Sequence, residues 1–303
     1  MLPVEAVADL VFDEPVGATG TRHVEAASGL AIVDEVVYVV TDDELYLAAF
    51  PDMGRGPGSV IPLLAGSLPR DDDRRSDEKP DLESLTPLAP FGRNARGGLI
   101  ALGSGSAPPR RRAVFAAFGE EPATAAGREL DATDLFDRLE RDIPGLNLEG
   151  TAVSGGSFRV FQRGNLGGGN AHIDLDLEGL LEQIDEGVLR GDLVTGVRGH
   201  DLGTLRGVPL CFADADTLDD GRIVFSASAE ANDGAGDGPT AGSALGIMDP
   251  SGEILRLEPF DLEIKAEGLA ARRVDDGIEA FMVTDEDEPD VPSRLLRVLL
   301  PDA

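Results

Sequence analysis

Acidic side chains recur in one short phrase along the chain. The clearest copy is Leu148-Glu149-Gly150-Thr151-Ala152-Val153, which a tight turn joins to the apolar segment Phe158-Arg159-Val160-Phe161. Each copy runs from a small or acidic residue through a Gly, Ser or Ala to apolar residues, a turn and a strand. The other four copies are Ala27-Ser28-Gly29-Leu30-Ala31, Leu82-Glu83-Ser84-Leu85, Ala213-Asp214-Ala215-Asp216 and Ala266-Glu267-Gly268-Leu269-Ala270. Five copies of one phrase indicate a structural repeat.

One position of the repeat carries an oxygen-bearing side chain in every copy. Carboxylates that converge at short range repel one another and raise one another's pKa unless a cation neutralises them. Hard oxygen ligands suit Ca²⁺, whereas Zn²⁺ prefers nitrogen or sulfur at four-coordinate sites. The sequence therefore predicts a Ca²⁺ site whose ligands are Ser28, Glu83, Glu149, Asp214 and Glu267.

Two alternatives stay open for this position. Asp216 fits the spacing of the fourth copy nearly as well as Asp214 does. In addition, each glutamate could accept backbone amide hydrogen bonds at the start of its own strand, with water in the middle of the ring. The presence of three glutamates in register favours the metal over this second alternative.

A second group of polar residues follows the next strand in several copies. These residues are Asp42-Asp43, Gln162-Arg163-Gly164-Asn165 and Asp285, and we expect them on the same face as the ring. Arg163 is the cation among them, so it is a candidate for orienting an anionic or carbonyl group of a ligand. The alternative is an ion pair between Arg163 and a carboxylate such as Asp285. Glu149 and Arg163 are the predicted catalytic residues.

The spacing of the copies indicates how these residues are positioned. Successive ring positions are 83 − 28 = 55, 149 − 83 = 66, 214 − 149 = 65 and 267 − 214 = 53 residues apart. Such periods are typical of four-stranded propeller blades with insertions, in which the inner strands line a central channel. The sequence predicts an all-β, five-bladed propeller that forms a single domain over residues 1–303. Six blades are the alternative if Leu177 to Asp201 contains another.

Several local features complete this prediction. The last unit lacks a fourth strand, and we expect Val4 to Phe12 to supply it and close the ring. Helices are predicted at Ala132 to Arg141 and near Leu177 to Ile184. The charged run Arg70 to Lys79 reads as an exposed loop between units. His23, near the first inner strand, is a weaker candidate for acid–base chemistry, and Glu230 to Gly238 resembles a calcium loop only in composition.

Composition excludes several classes of partner. The 303 residues include 57 acidic and 26 basic side chains, so the net charge is −31 and would repel nucleic acids and anionic membranes. The one cysteine, Cys211, excludes an internal disulfide and a thiolate metal cluster. Residues 1–10 lack a basic segment, so we expect no signal peptide. We therefore expect a cytoplasmic monomer that binds a small anionic or ester ligand.

The repeat also resembles known propellers. The motifs Leu148-Glu149-Gly150, Gln162-Arg163-Gly164-Asn165 and Lys265-Ala266-Glu267-Gly268-Leu269-Ala270, with Val283-Thr284-Asp285 and Pro292-Ser293-Arg294-Leu295-Leu296, resemble an uncharacterised bacterial group described as phytase-like or esterase-like. The ring is similar to that of the calcium-activated nucleotidases, which are five-bladed propellers with a central calcium. This resemblance implies a metal ring at Ser28, Glu83, Glu149, Asp214 and Glu267. The chain lacks Trp and the aromatic base-stacking residues of those nucleotidases.

Two functions follow from these observations. The first is a calcium-binding propeller whose metal polarises a phosphoryl or ester oxygen and activates water, which would make the chain a metal-dependent hydrolase of phosphoesters or esters. The second is a propeller without catalytic activity, in which calcium joins the blades and a loop face binds a ligand or a protein partner.

Overall fold

Short β-branched and apolar segments alternate with turn residues, and they form strands almost throughout the computed structural model. The structure describes residues 1–119, 126–230, 240–286 and 290–301. Ahead of the first blade lie β1 (Val4–Asp9), β2 (Val11–Val16) and β3 (Thr21–His23). β2 and β3 pair with each other as a hairpin.

Five four-stranded antiparallel sheets follow one another as the blades of a propeller. Blade one contains β4 (Ala27–Val33), β5 (Val36–Thr41), β6 (Tyr46–Phe50) and β7 (Ser59–Pro62). Blade two contains β8 (Leu82–Leu88), β9 (Gly98–Gly103), β10 (Ala113–Ala117) and β11 (Ala126–Leu130). Blade three contains β12 (Leu148–Ser154), β13 (Ser157–Gln162), β14 (Asn170–Asp176) and β15 (Val194–His200).

The remaining two blades complete the ring. After the short hairpin of β16 (Thr204–Leu205) and β17 (Val208–Pro209), blade four contains β18 (Cys211–Thr217), β19 (Ile223–Glu230), β20 (Thr240–Met248) and β21 (Ile254–Pro259). Blade five contains β22 (Ala266–Val274), β23 (Gly277–Thr284) and β24 (Arg294–Pro301), and its outermost strand is β1. The predicted five-bladed all-β fold is confirmed, and Leu177 to Asp201 adds no sixth blade.

Closure by the N-terminal strand is also confirmed, over a shorter range than predicted. β1 pairs with β24 in a register that places Val4 opposite Val298. The pairing ends at Asp9 because Leu10 turns inward, is fully buried, and donates its backbone amide to the Ser293 carbonyl at 3.0 Å. The chain then continues as β2 instead of extending the blade to Phe12.

Within the described ranges, three α-helices lie between the strands: α1 (Asp72–Glu78), α2 (Thr133–Asp142) and α3 (Leu177–Glu186). Leu135, Phe136 and Leu139 of α2 and Leu180 and Ile184 of α3 are buried against the core between blades two and three. These two helices match their predicted positions. The prediction of a loop over Arg70 to Lys79 was wrong, because Asp71 accepts a hydrogen bond from the Arg74 amide at 3.1 Å and caps the helix α1.

The five inner strands share one irregularity. The register of each inner strand with its neighbour shifts between Ala27 and Gly29, Leu82 and Ser84, Leu148 and Gly150, Phe212 and Ala215, and Ala266 and Leu269. A β-bulge re-aims the side chains of the strand that carries it. Each of the five bulges contains one predicted ring residue, so the repeat identified in the sequence is a repeated bulge at the propeller axis.

Glycines in this phrase allow the inner strands to approach closely. A Cβ atom on Gly150 would lie 2.7 Å from the Asp214 Cα atom of the next blade. A Cβ atom on Gly268 would lie 2.6 Å from the Leu30 backbone nitrogen of blade one. Because neighbouring backbones leave no room for a side chain there, blades five and one meet as tightly as blades three and four do.

Candidate metal centre

The bulges of blades one, two, three and five open onto a polar cavity, which we call the central cavity. Its volume is about 280 Å³. Four of the five predicted ring residues line it, namely Ser28, Glu83, Glu149 and Glu267. The predicted second group also reaches it through Asp42, Arg163, Asn165 and Asp285. The remaining lining residues are Lys79, Asp81, Ser106, Arg110, Asn147, Leu166 and Lys265.

The structure does not bring Asp214 to the central cavity. Its carboxylate accepts hydrogen bonds from the Leu269 amide of blade five at 2.7 Å and from the Ala215 amide at 2.8 Å. Asp216 acts in the same way and accepts from the Ala271 amide at 2.8 Å. Both carboxylates therefore connect β18 to β22. Four of the five ring residues predicted from the sequence line the cavity.

Three carboxylates on one side of the central cavity form a group that could hold a metal ion. One ligand oxygen from each of Asp42, Asp81 and Glu83 lies within 4.8 Å of the other two. Asp42 follows β5 of blade one, whereas Asp81 and Glu83 flank the start of β8 in blade two. The Asp81 amide donates to the Asp42 carbonyl at 2.9 Å, so the backbone itself holds the two carboxylates together across the blades.

Asp81 has an unusual backbone conformation. Its φ angle is 54°, in the left-handed region that aspartate tolerates better than most residues do. Its side chain is 4% exposed and accepts hydrogen bonds from Ser104 and from Arg110, the latter at 3.2 Å. Residues held in such conformations cluster at functional sites. The geometry of Asp81 therefore adds to the evidence that this group of carboxylates is a site.

Lys79 is the cation closest to this group. Its ammonium forms ion pairs with Asp42 and with Asp81 Oδ1, the latter at 2.9 Å. Burial alone would lower the pKa of Lys79, but these carboxylates raise it, so the side chain stays charged. Arg110 is the second cation at this group, and two cations neutralise only two of the three carboxylates. Consistently, Asp42 Oδ1 is buried and has no hydrogen-bond partner among the described residues.

Burial and mutual repulsion raise the pKa values of the carboxylates around the cavity. Burial raises the pKa of Glu83 well above its usual range, and Glu149, Asp81 and Asp42 raise it further. Burial raises the pKa of Glu149 to about 7 against the opposing effect of Arg163. Burial also raises the pKa of Glu267 to about 8, although Lys265 opposes the shift. A cation in the cavity would lower all three pKa values.

Arg163 is held by carboxylates on two blades. Its guanidinium is 3.3 Å from Glu149 Oε1 and 2.7 Å from Glu230 Oε1 of blade four. The prediction that Arg163 pairs with a carboxylate is therefore correct in kind, with Glu149 and Glu230 as partners. Asn147 also donates to Glu149 Oε1, at 2.7 Å, so the Glu149 carboxylate is oriented by two donors.

The only two lysines of the sequence both line the central cavity. Lys265, just before β22, forms ion pairs with Glu267 at 3.5 Å and with Asp285 at 3.0 Å. Lys79 has the equivalent arrangement with Asp42 and Asp81 on blades one and two. Sequence analysis did not give these lysines a role.

A positional signal for the missed residues does exist. Asp81, Asn147 and Lys265 each lie two residues before a ring glutamate. Backbone hydrogen bonds connect this position to the end of the second strand of the same blade, as in the bond from the Arg163 amide to the Asn147 carbonyl at 2.8 Å. In blades three and five, this position and the residue that follows the second strand both line the cavity, in addition to the bulge.

Other residues singled out in the sequence lie elsewhere. His23 does not line the central cavity. Cys211 is half-buried, and burial raises the pKa of its thiol. Glu230 is the described end of the segment that resembled a calcium loop, and residues 231–239 lie outside the described residues.

The residues present fit a hard divalent cation. Three carboxylates from two neighbouring blades supply oxygen ligands, which Ca²⁺ and Mg²⁺ prefer. The unpartnered Asp42 oxygen and the excess of three carboxylates over the two cations Lys79 and Arg110 both call for further positive charge. Imidazole and thiol ligands are absent from the described lining of the cavity, which does not favour Zn²⁺.

No helix among the described residues is long and apolar enough to cross a membrane. Comparison with curated protein sequences gives no match.

Solved structures share the fold at low sequence identity. The mannose phosphorylase MPT-4 from Leishmania mexicana, in complex with phosphate ion, is 13% identical, with 99% of this chain and 89% of that chain covered and a TM-score of 0.50. A hypothetical protein from Leishmania major is 13% identical over 98% of this chain and 91% of its own, also at 0.50. Regucalcin, a calcium-binding protein from Agrobacterium tumefaciens, is 11% identical over 97% of both chains at 0.44. These similarities concern the fold alone.

A family model gives the more specific match. The model described as a family of unknown function, DUF6929, covers residues 23–300, which include all five inner strands and every residue that lines the central cavity. The chain therefore belongs to the DUF6929 family of unknown function.

Proposed function

We propose that the protein binds Ca²⁺ in the central cavity through Asp42, Asp81 and Glu83 and uses the bound ion to hydrolyse an ester or phosphoester. The observation that carries this proposal is the cluster of three carboxylates from two blades, whose charge Lys79 and Arg110 together do not fully compensate. Ser28 and Glu267, which the sequence placed in the ring, line the same cavity and complete its polar wall.

The bound ion would supply Lewis-acid polarisation of the substrate oxygen and would lower the pKa of water. The protein's own contribution comes from Glu149, which is next to the carboxylate group. Its Oε1 atom accepts hydrogen bonds from Asn147 and Arg163, which leaves Oε2 to take a proton from water. A carboxylate that is buried and held by two donors suits a general base. Arg163 then acts by positioning Glu149.

A test of metal binding uses the conservative variant Asp81→Asn. Calorimetry should show one Ca²⁺ bound per wild-type chain, and Asp81→Asn should weaken binding by at least ~30-fold, because it removes a charged ligand from the site. Asp174→Asn is the matched control. It also removes a carboxylate from an ion pair, with Arg159, but lies outside the cavity, so it should bind Ca²⁺ as the wild type does. Absence of Ca²⁺ binding by the wild-type protein would refute the proposal.

A specific observation also favours the second candidate function, a structural ion without catalysis. Arg163 of blade three pairs with Glu230 of blade four, and Lys79 joins Asp42 of blade one to Asp81 of blade two. Charged groups in this cavity therefore connect blades. Glu149→Gln separates the two candidates. Under the hydrolase proposal it keeps Ca²⁺ binding and loses hydrolysis, whereas a structural ion gives no hydrolysis in the wild type and only raises the melting temperature.

A further inference from the structure

We propose that the ligand of the central cavity is an uncharged ester, such as a carboxylic ester or a lactone, and that phosphoesters are excluded. This inference rests on the proposed function, because it specifies the substrate class of the same site.

The first argument is the charge of the cavity lining. Six carboxylates and four cationic side chains line the central cavity, so the net charge with all groups ionised is 4 − 6 = −2. One divalent cation brings this sum to zero. Glu230, which pairs with Arg163 from outside the lining, makes the surroundings more negative still. A phosphoester would therefore enter the metal-loaded cavity with no net positive charge to meet it.

The second argument is that each cation of the lining is already paired. Arg110 contacts Asp81 at 3.2 Å, and Arg163 contacts Glu149 at 3.3 Å and Glu230 at 2.7 Å. The two lysines have two carboxylate partners each. A phosphoryl group binds best to donors that can turn toward it in a bidentate or multiple contact. Here it would have to displace carboxylates that belong to the protein.

The third argument concerns the uncharged groups in the cavity. The Ser28 and Ser106 hydroxyls and the Asn147 and Asn165 amides also line the central cavity. Such groups donate to and accept from a carbonyl, a ring oxygen or a hydroxyl without requiring ligand charge. They match an ester that carries further polar groups.

A second cavity adjoins the central cavity, and its charge supports the same inference about the ligand. This outer cavity has a volume of about 520 Å³ and shares Asp42, Lys79 and Asp285 with the central cavity. Its lining has six carboxylates and three cations, a net charge of 3 − 6 = −3. An anion that approached through it would meet a repulsive potential, whereas a neutral ester would not. The outer cavity also provides room for the part of an ester that the central cavity cannot hold.

The test compares two substrates with the same leaving group in the Ca²⁺-loaded wild-type protein. We expect p-nitrophenyl acetate to be hydrolysed with a kcat/KM at least ~100-fold above that of p-nitrophenyl phosphate. Equal or faster hydrolysis of the phosphate ester would overturn the inference. Calorimetry with phenylphosphonate, a dianion that is not hydrolysed, gives a readout that does not depend on turnover. We expect no binding at millimolar concentration, and submillimolar binding would also overturn the inference.

A charge variant provides the converse test. Asp285→Asn removes one carboxylate partner of Lys265, so phenylphosphonate should bind to this variant at submillimolar concentration, at least ~10-fold below the millimolar concentration at which the wild type shows no binding. Glu258→Gln on β21, outside both cavities, is the control and should leave phenylphosphonate binding unchanged. An unchanged affinity in Asp285→Asn would contradict the inference. If the wild-type protein does not bind Ca²⁺, the proposed function is refuted. If it binds Ca²⁺ and also binds phenylphosphonate at submillimolar concentration, only this inference is refuted.

Discussion

Glu83 and Glu267 are ring residues of the central cavity whose carboxyl groups have raised pKa values. Burial is the main cause in both, and it raises the pKa of Glu267 to about 8 and that of Glu83 well above its usual range. Two protons or one divalent cation would give the central cavity the same neutral charge. The cavity therefore has two alternative ways to remove its excess of negative charge, and pH decides between them.

Because protons and a divalent cation are alternatives in the central cavity, we expect Ca²⁺ binding to release protons. Because the folded-state pKa values lie above those of the unfolded chain, stability of the metal-free protein falls as pH rises through them, and the bound cation reverses this loss. Calorimetry at pH 7 in two buffers of different ionisation enthalpy should show release of about one to two protons per ion. Affinity should increase with pH.

Glu83→Gln identifies one source of these protons. The amide cannot titrate, so the variant should release about one proton fewer while its binding, although weaker, stays measurable at high Ca²⁺. Heats that do not depend on the buffer would contradict the prediction.

At the scale of single residues, the sequence predicted which positions belong to the ring better than it predicted which residues pair with them. Glu83, Glu149 and Glu267 were found because they occupy one place in a repeat. Asp81 was missed because its neighbours Pro80 and Leu82 gave no sign that it begins the same site. Lys79 was missed because it is the last residue of the charged run Arg70 to Lys79, which resembles a solvent-exposed loop. The arrangement of the blades determines which residues far apart in sequence form ion pairs. A local sequence pattern therefore does not predict these pairs.

At the scale of the strand, the glycine of the repeat determines how closely two blades can pack. Gly150 of β12 faces the backbone of β18, where a Cβ atom would lie 2.7 Å from the Asp214 Cα atom and 2.9 Å from the Ala215 nitrogen. Backbone atoms cannot move aside as a flexible side chain can. A substituent at this position therefore pushes apart the strands that hold the cavity.

Gly150→Ala is accordingly expected to lower the free energy of unfolding by about 2–3 kcal/mol, in the range of other overpacked sites. Urea denaturation measures this change. Gly196→Ala on the outer strand β15 is the matched control, because a Cβ atom there has no neighbour within 4 Å and should change stability by less than about 0.5 kcal/mol. Similar stabilities of the two variants would show that the blades do not meet at Gly150 in the way described.

Elements with a strong apolar pattern were predicted closely from sequence. The helices α2 and α3 lie within a few residues of their predicted bounds. α1 was not predicted, because none of its seven residues is apolar and its cap, Asp71, is one of several neighbouring aspartates. The bulges were also not predicted, since they are defined by pairing with the second strand.

At the scale of the whole molecule, the dominant property is charge. With 57 acidic and 26 basic residues, the folded chain carries a net charge of −31, and compact folding brings these charges together. Self-repulsion of this kind destabilises the folded state, and salt screens it over a distance of about 10 Å at 0.1 M.

Raising NaCl from 0.05 M to 1 M should therefore increase the melting temperature by about 5–10 °C in the presence of a chelator. Scanning calorimetry measures this shift. The same series with Asp81→Asn should give an equal increase, because screening acts on the whole surface and not on the metal site. A melting temperature that is independent of salt would show that the surface charges contribute little to stability.

Closure of the ring by β1 has a consequence for protein synthesis. Val4 and its partner Val298 are 294 residues apart, so at roughly 5–20 residues per second β1 waits about 15–60 s for β24 to be made. During that interval β1 is an unpaired strand that could join another chain. It carries Glu5 and Asp9, and charges on an edge strand discourage such pairing. The acidic residues of β1 thus protect the nascent chain from aggregation until the fifth blade can form.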